Sequence, residues 1–188
     1  MAESFRASLL LSMPQLQDPN FSRTVVLLCE YGPEGAFGLV VNRPTDMPAS
    51  EMIRLEPPVA GANNMLLWIG GPVEPERGWI LVGDDASGVS AEPRTEFKLI
   101  RDGLYLSTSH VLLREVLEAH PPPRARVIAG YAGWGPGQLD EELARSSWLM
   151  GDVELDLIFD VPHAEMWETA IRRIGADPSM LTTSHGVH

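Results

Sequence analysis

The chain has 188 residues and a formal charge of −12, from 26 acidic and 14 basic side chains. Nucleic-acid affinity comes largely from neutralised phosphates, so scattered arginines, with Arg172-Arg173 as the nearest thing to a basic cluster, disfavour direct DNA binding. Hydrophobic residues make up 44 %, and a domain of this size buries about 70 % of its unfolded surface, so neither disulfides nor a structural metal is needed. The single cysteine, Cys29, excludes an intramolecular disulfide and a cysteine zinc cage, and fits a reducing compartment. No leader pattern opens the chain and no apolar run approaches the roughly 20 residues that span a bilayer. The expectation is a soluble, cytoplasmic protein.

Alternation over Phe5 to Ser12 predicts a partly buried strand. Residues 13–20, with two prolines, read as a rigid loop. The β-branched run Thr24 to Tyr31 predicts a central strand, Gly32 to Gly35 a turn, and Phe37 to Asn42 a returning strand that Pro44 ends. Residues 46–55 suit a short helix with Pro48 in its first turn. Leu66 to Ile69 and Trp79 to Val82 are further strands, ended by Gly70-Gly71-Pro72 and by Gly83-Asp84-Asp85. Residues 84–95 are loop-like. Phe97 to Ile100 and Leu104 to Ser107 flank Arg101-Asp102-Gly103, a hairpin signal. Thr108 or Ser109 can cap a helix with Leu112, Leu113, Val116 and Leu117 on one face, which Pro121-Pro122-Pro123 stops.

Arg126 to Tyr131 predicts a strand that leads into Gly130-Tyr131-Ala132-Gly133-Trp134-Gly135-Pro136-Gly137, read as a glycine-rich turn before a helix over 138–146. Leu155 to Phe159 is read as a last strand. Pro162 opens a helix with Trp167, Ala170, Ile171 and Ile174 on one face and Gly175 past its end. The total is about eight strands and three or four helices, which argues against a doubly wound parallel sheet. A mixed, mainly antiparallel sheet of α+β type, in one domain over residues 1–188, is expected.

Each chemical signal has a structural counterpart. The glycine-rich stretch lacks the Lys-Ser/Thr of a P-loop, and its acidic helix start, Asp140-Glu141-Glu142, would repel a phosphate. It reads better as a turn that positions Trp134. Cys29 lies inside an apolar strand, where free cysteine acts as a small buried hydrophobe. His185 and His188 could hold a weakly bound metal, but terminal residues are more often a mobile tail. Asp84-Asp85 and Asp140-Glu141-Glu142 could bind Mg²⁺ or Ca²⁺, and equally cover a solvated face. Ser109 beside His110 has no G-x-S-x-G elbow around it, and capping accounts for its hydroxyl.

Six blocks in order are similar to the YqgE/AlgH family of bacterial proteins. They are Met13 to Val26, Gly35 to Pro44, Gly70-Gly71-Pro72-Val73, Thr108-Ser109, Gly130 to Trp134 with Gly137-Gln138-Leu139, and Trp148-Leu149. The resemblance implies an α/β fold with a bifurcated sheet curled into a pseudo-barrel and flanked by helices. Members are described as uncharacterised proteins, or as transcriptional regulators from an association with alginate production. The family supplies no established reaction, cofactor or catalytic residue to carry over. Val82 and Tyr31 stand where members commonly have histidines, so no mechanism that needs those imidazoles carries over.

The expected function is a binding or regulatory protein, without cofactor or metal, acting through a protein or small-molecule partner. Its expected groove is formed by turns at strand ends: Asn42, Arg43, Gly70, Gly71, Thr108, Ser109, Tyr131, Trp134, Gly137 and Gln138. Arg43 supplies positive charge for an anionic ligand or a protein carboxylate. Trp134 either gives a flat contact or closes the core. The alternatives are a hydrolase using Ser109 with Glu141, and a direct DNA regulator that the charge disfavours.

Overall fold

The computed structural model describes residues 5–14, 21–83 and 97–182. In chain order the elements are β1 (Ser8–Ser12), β2 (Val25–Gly32), β3 (Gly35–Val40), β4 (Pro44–Pro48), α1 (Ala49–Met52), β5 (Leu66–Ile69), β6 (Val73–Gly83), β7 (Phe97–Arg101) and β8 (Leu104–Ser107). They continue as α2 (His110–Glu118), β9 (Ala125–Trp134), α3 (Gln138–Ala144), β10 (Trp148–Gly151), α4 (Leu155–Phe159), α5 (His163–Arg173) and α6 (Pro178–Thr182). The fold is of α+β type, and its strand pairing is mixed but mainly antiparallel. The chain forms two compact units, one from residues 1–43, 70–73 and 131–188, the other from 44–69 and 74–130.

In the first unit, β10, β1, β2, β3 and the end of β9 pair antiparallel in that order. β1 is apolar without alternation because it is covered on both faces. Leu10 joins Val26, Leu28, Val40, Trp134, Leu139 and Trp148 in one cluster. Leu9 and Leu11 face the other way, toward Leu157 and Ala170 of α4 and α5. Removing such a leucine from water is worth about 1.5–3 kcal/mol, which is why all three are fully buried. Helix α5 buries Met166, Trp167, Ala170 and Ile171, the expected stripe, and Gly175 follows in the left-handed region.

Two glycines set the geometry of this unit. A Cβ on Gly35 (φ +136°) would lie 2.3 Å from the Trp134 carbonyl oxygen, and one on Gly71 (φ +153°) 2.2 Å from the Tyr131 carbonyl. Both positions therefore exclude any other residue twice over, by backbone angle and by space.

The second unit pairs β5 in parallel with the start of β9 and antiparallel with β4, while β6, β8 and β7 run antiparallel. The hairpin turn expected at Asp102-Gly103 is present, with Gly103 at φ +83°. Leu112, Leu113, Val116 and Leu117 of α2 pack with Leu67, Ile80, Val82 and Val127. Ser109 caps α2 by accepting from the Leu112 amide, and Asn63 closes its far end by donating to the Val116 and Ala119 carbonyls at 2.7 and 2.9 Å.

Several expectations are corrected. Among the described residues there are ten strands and six helices. Leu155 to Phe159 is helix α4, not a strand; a short apolar run has no period that separates the two states. Trp148–Gly151 is a strand, paired to β1, where none was predicted. β9 continues through Trp134, so only Gly135 to Gly137 remain as turn. Residues 84–95 and His185 and His188 lie outside the described residues. Among those described, no helix is long and apolar enough to cross a membrane.

Gly71→Ala is expected to lower the unfolding free energy by more than about 2 kcal/mol, whereas Gly61→Ala, at φ +63° in open space, costs about 1 kcal/mol. Urea unfolding of the two variants checks the difference, and equal losses would contradict the close approach at Gly71.

Candidate functional site

The first unit contains a cleft of about 240 Å³ lined by Ser22, Arg23, Asn42, Arg43, His163, Ala164, Trp167 and Glu168. Its frame begins where β1 ends and β2 starts. The Ser12 amide donates to the Thr24 carbonyl at 3.0 Å, and the Thr24 amide to Ser12 Oγ at 2.7 Å. Trp167 Nε1 donates to the Ser12 carbonyl at 2.9 Å, which fixes α5 beside these strand ends.

Asn42 follows β3 and ties the wall together. Its Oδ1 accepts from the buried Val25 amide at 3.1 Å and its Nδ2 donates to the Arg23 carbonyl at 3.0 Å. One side-chain amide thus serves a donor and an acceptor of the adjacent strand, which neither Asp nor an apolar residue can do. Arg43 is oriented by Nη2, which donates to the Ser22 carbonyl and to Thr24 Oγ1, each at 3.0 Å.

Arg23, in the left-handed region at φ +47°, places its guanidinium over the Trp167 ring, 5.4 Å from the centroid. It also pairs with Glu168 at 3.6 Å, and Arg172 pairs with the other oxygen of Glu168 at 3.6 Å. Both pairs are solvent-exposed and individually weak. The lining carries two arginines against one glutamate, in a chain of −12.

The other expected residues occupy different surroundings. Gly70 accepts from the Val40 amide at 2.8 Å, and Gly71 lies against the Tyr131 backbone. The Tyr131 ring packs edge-on to Phe37, with centroids 5.2 Å apart. Trp134 is 7 % exposed; it packs edge-on to Trp148, 6.0 Å between centroids, and its Nε1 donates to Glu142 at 2.6 Å. Its ring is therefore covered by the core. Gly137, at φ +75°, is the N-cap of α3, and Gln138 Oε1 accepts from the Gly135 amide at 3.0 Å. Thr108 and Ser109 belong to the second unit, where the Ser109 hydroxyl serves the α2 cap.

The acidic residues at α3 have partners within the first unit. Asp140 accepts from the Tyr31 hydroxyl and Glu142 from Trp134. That hydrogen bond to Asp140, ahead of desolvation and of the carboxylate charge, holds the Tyr31 phenol above its ordinary range. Cys29 is buried in β2, its thiol directed to the Leu27 carbonyl at 3.4 Å. Among the described residues no group of three or more His, Cys, Asp or Glu could hold a metal ion.

Ser22, Arg23, His163, Trp167 and Glu168 were not among the expected site residues. Ser22 and Arg23 fall inside the quoted N-terminal block, a signal that was available. Nothing in the sequence places α5, more than a hundred residues further on, beside Asn42.

Fold and cleft together define an α+β protein with a small, cationic cleft at its strand ends. The chain belongs to the AlgH-like family, whose model matches residues 9–179. It is 39 % identical over 182 residues to a UPF0301 protein of Myxococcus xanthus, covering 96 % of each chain. It is 37 % identical to a UPF0301 protein of Stutzerimonas stutzeri, covering 94 % of this chain and 92 % of the other. The solution structure of the AlgH protein from Pseudomonas aeruginosa matches over 100 % of both chains, with TM-score 0.73 and 32 % identity. Protein DIP2367 from Corynebacterium diphtheriae shares the fold, at TM-score 0.71 and 22 % identity, over 92 % of this chain and 88 % of that one.

Asn42→Ala leaves the buried Val25 amide without its acceptor and is expected to cost about 1–3 kcal/mol. Denaturant unfolding measures the loss, and hydrogen exchange at Val25 should accelerate with it. For Tyr31, a raised folded pKa means that its contribution to stability is present below the unfolded pKa and is lost as pH rises through the folded one. Asp140→Asn is expected to bring the phenol back toward its ordinary range, as read by alkaline absorbance titration.

Proposed function

We propose that the protein is a non-catalytic binding and regulatory protein that captures an anionic group of its partner in the Arg43 cleft. The partner is a protein or a small molecule, and any influence on transcription is exerted through it rather than by direct contact with DNA. The reading places the protein in the cytoplasm, in keeping with a single, buried cysteine.

One observation carries this reading. Arg43 is held by a backbone carbonyl and a hydroxyl, so its permanent charge is positioned before any ligand arrives. Pre-organisation of this kind reduces the ordering cost that binding otherwise incurs. The surrounding chain carries −12, which makes a cationic cleft a local inversion of the protein's field. The same overall charge opposes a phosphate backbone.

The test is affinity capture from a native bacterial lysate, with recovered proteins and small molecules both identified, using wild type beside Arg43→Ala. The expected outcome is at least one component recovered by wild type and lost from the variant. Equal recovery of every component would remove Arg43 from the site and with it this reading.

A further inference from the structure

Building on the cleft reading above, we infer that Arg23 is the residue that contacts the captured group, and that Asn42 and Arg43 are positioning residues that act through it. The group is an oxyanion, of carboxylate or phosphate type, bound at the edge of the Arg23 guanidinium in place of Glu168.

Arg23 has a left-handed backbone, with φ +47°. A side chain in that region crowds the following carbonyl, so the angle persists only where the surroundings impose it. Here they do. Arg43 Nη2 gives both its hydrogens to the residues on either side, to the Ser22 carbonyl and to Thr24 Oγ1. Asn42 Nδ2 holds the Arg23 carbonyl itself, and Ser12 Oγ holds the Thr24 amide. Arg43 is thus occupied with the backbone, and the residue it frames is Arg23.

The imposed angle lays the Arg23 guanidinium over the buried Trp167 ring, 5.4 Å from its centroid. That contact covers one face of the guanidinium and leaves free its edge, where every N–H lies. Among the described residues this guanidinium donates no hydrogen bond. Its ionic contact, to Glu168 at 3.6 Å, is longer than a hydrogen bond, and 59 % of the side chain is exposed. A stacked, planar fork of unused donors matches two oxygens of a carboxylate or a phosphate. Glu168 is the resident counter-ion. Its other oxygen faces Arg172, also at 3.6 Å, so it keeps a cationic partner when a ligand takes Arg23.

The experiment follows the Trp167 indole N–H and the Arg23 and Arg43 Nε–H resonances by NMR. The full chain is titrated with sodium acetate or with inorganic phosphate at fixed pH and ionic strength. Saturable shifts are expected at Trp167 and at Arg23 Nε–H, and none at Arg43 Nε–H. Whichever anion binds more tightly identifies the source. Arg23→Asn, which accepts the left-handed angle but lacks the charge, should abolish the response. Arg23→Lys, which keeps the charge without the fork, should weaken it. Arg43→Ala should weaken binding and also move the Arg23 amide-to-Hα coupling away from its left-handed value. Glu168→Gln should tighten binding by about two- to fivefold, the worth of an exposed ion pair.

Wild-type affinity in Arg23→Asn would overturn the assignment and leave the cleft reading intact. So would a saturable shift at Arg43 Nε–H without one at Arg23. Weaker binding in Arg43→Ala with the Arg23 coupling unchanged would overturn the positioning role. Glu168→Gln binding no tighter than wild type would overturn the displacement of Glu168. No saturable shift with either anion would overturn this inference, whereas the cleft reading stands or falls on Arg43-dependent capture from the lysate.

Discussion

The end of β9 passes Gly35 and Gly71 at a distance that leaves room for no side chain, and the first unit is organised around that closeness. With the Gly35 α-carbon against the Trp134 carbonyl, β3 and β9 pair in the register Ala36↔Trp134, Phe37↔Gly133 and Gly38↔Ala132. That register turns Ala132 and Trp134 into the cluster with Leu10, Val26 and Trp148, and leaves Tyr131 to pack on Phe37. A Cβ at Gly38 would also lie 2.7 Å from a Val26 methyl, so β2 and β3 are packed as tightly as β3 and β9. Small residues here act as spacers, and their placement decides which large residues meet.

The cleft is a consequence of how β1 and β3 end and β2 begins. Asn42 binds the backbone at Arg23 and Val25, Ser12 binds it at Thr24, and Trp167 fastens α5 to the Ser12 carbonyl. Once those polar groups are satisfied, Arg43, Arg23 and Glu168 line one cleft of the folded first unit. The charged side chains thus stand at the rim of a buried scaffold, and none of the named contacts involves Tyr31 or Val82.

The fold was largely legible because its signals are local. Gly103 sits where Asp-Gly announces a hairpin, Ser109 caps α2, and Gly175 ends α5, each from chemistry within a few residues. The misreadings also have local causes. Leu155 to Phe159 is too short to show a period, and β10 is four residues long with Trp148 buried but Met150, on the same face, exposed, so its burial does not alternate. In the glycine-rich stretch Gly130 and Gly137 take left-handed angles, as expected of a turn, but the close backbone approach is made by Gly35 and Gly71 from elsewhere in the chain.

By itself the sequence determined the family, the acidic charge, the mainly antiparallel α+β class and the presence of Asn42-Arg43 at a strand end. These follow from residue order, from net charge and from periods of two and 3.6, all of which are properties of short windows. Only the tertiary structure decided that Trp134 is covered by the core and that α5 brings Trp167 and Glu168 beside Arg43. That pairing joins residues more than a hundred positions apart through a buried indole-to-carbonyl hydrogen bond, and no local pattern encodes which carbonyl an indole will find.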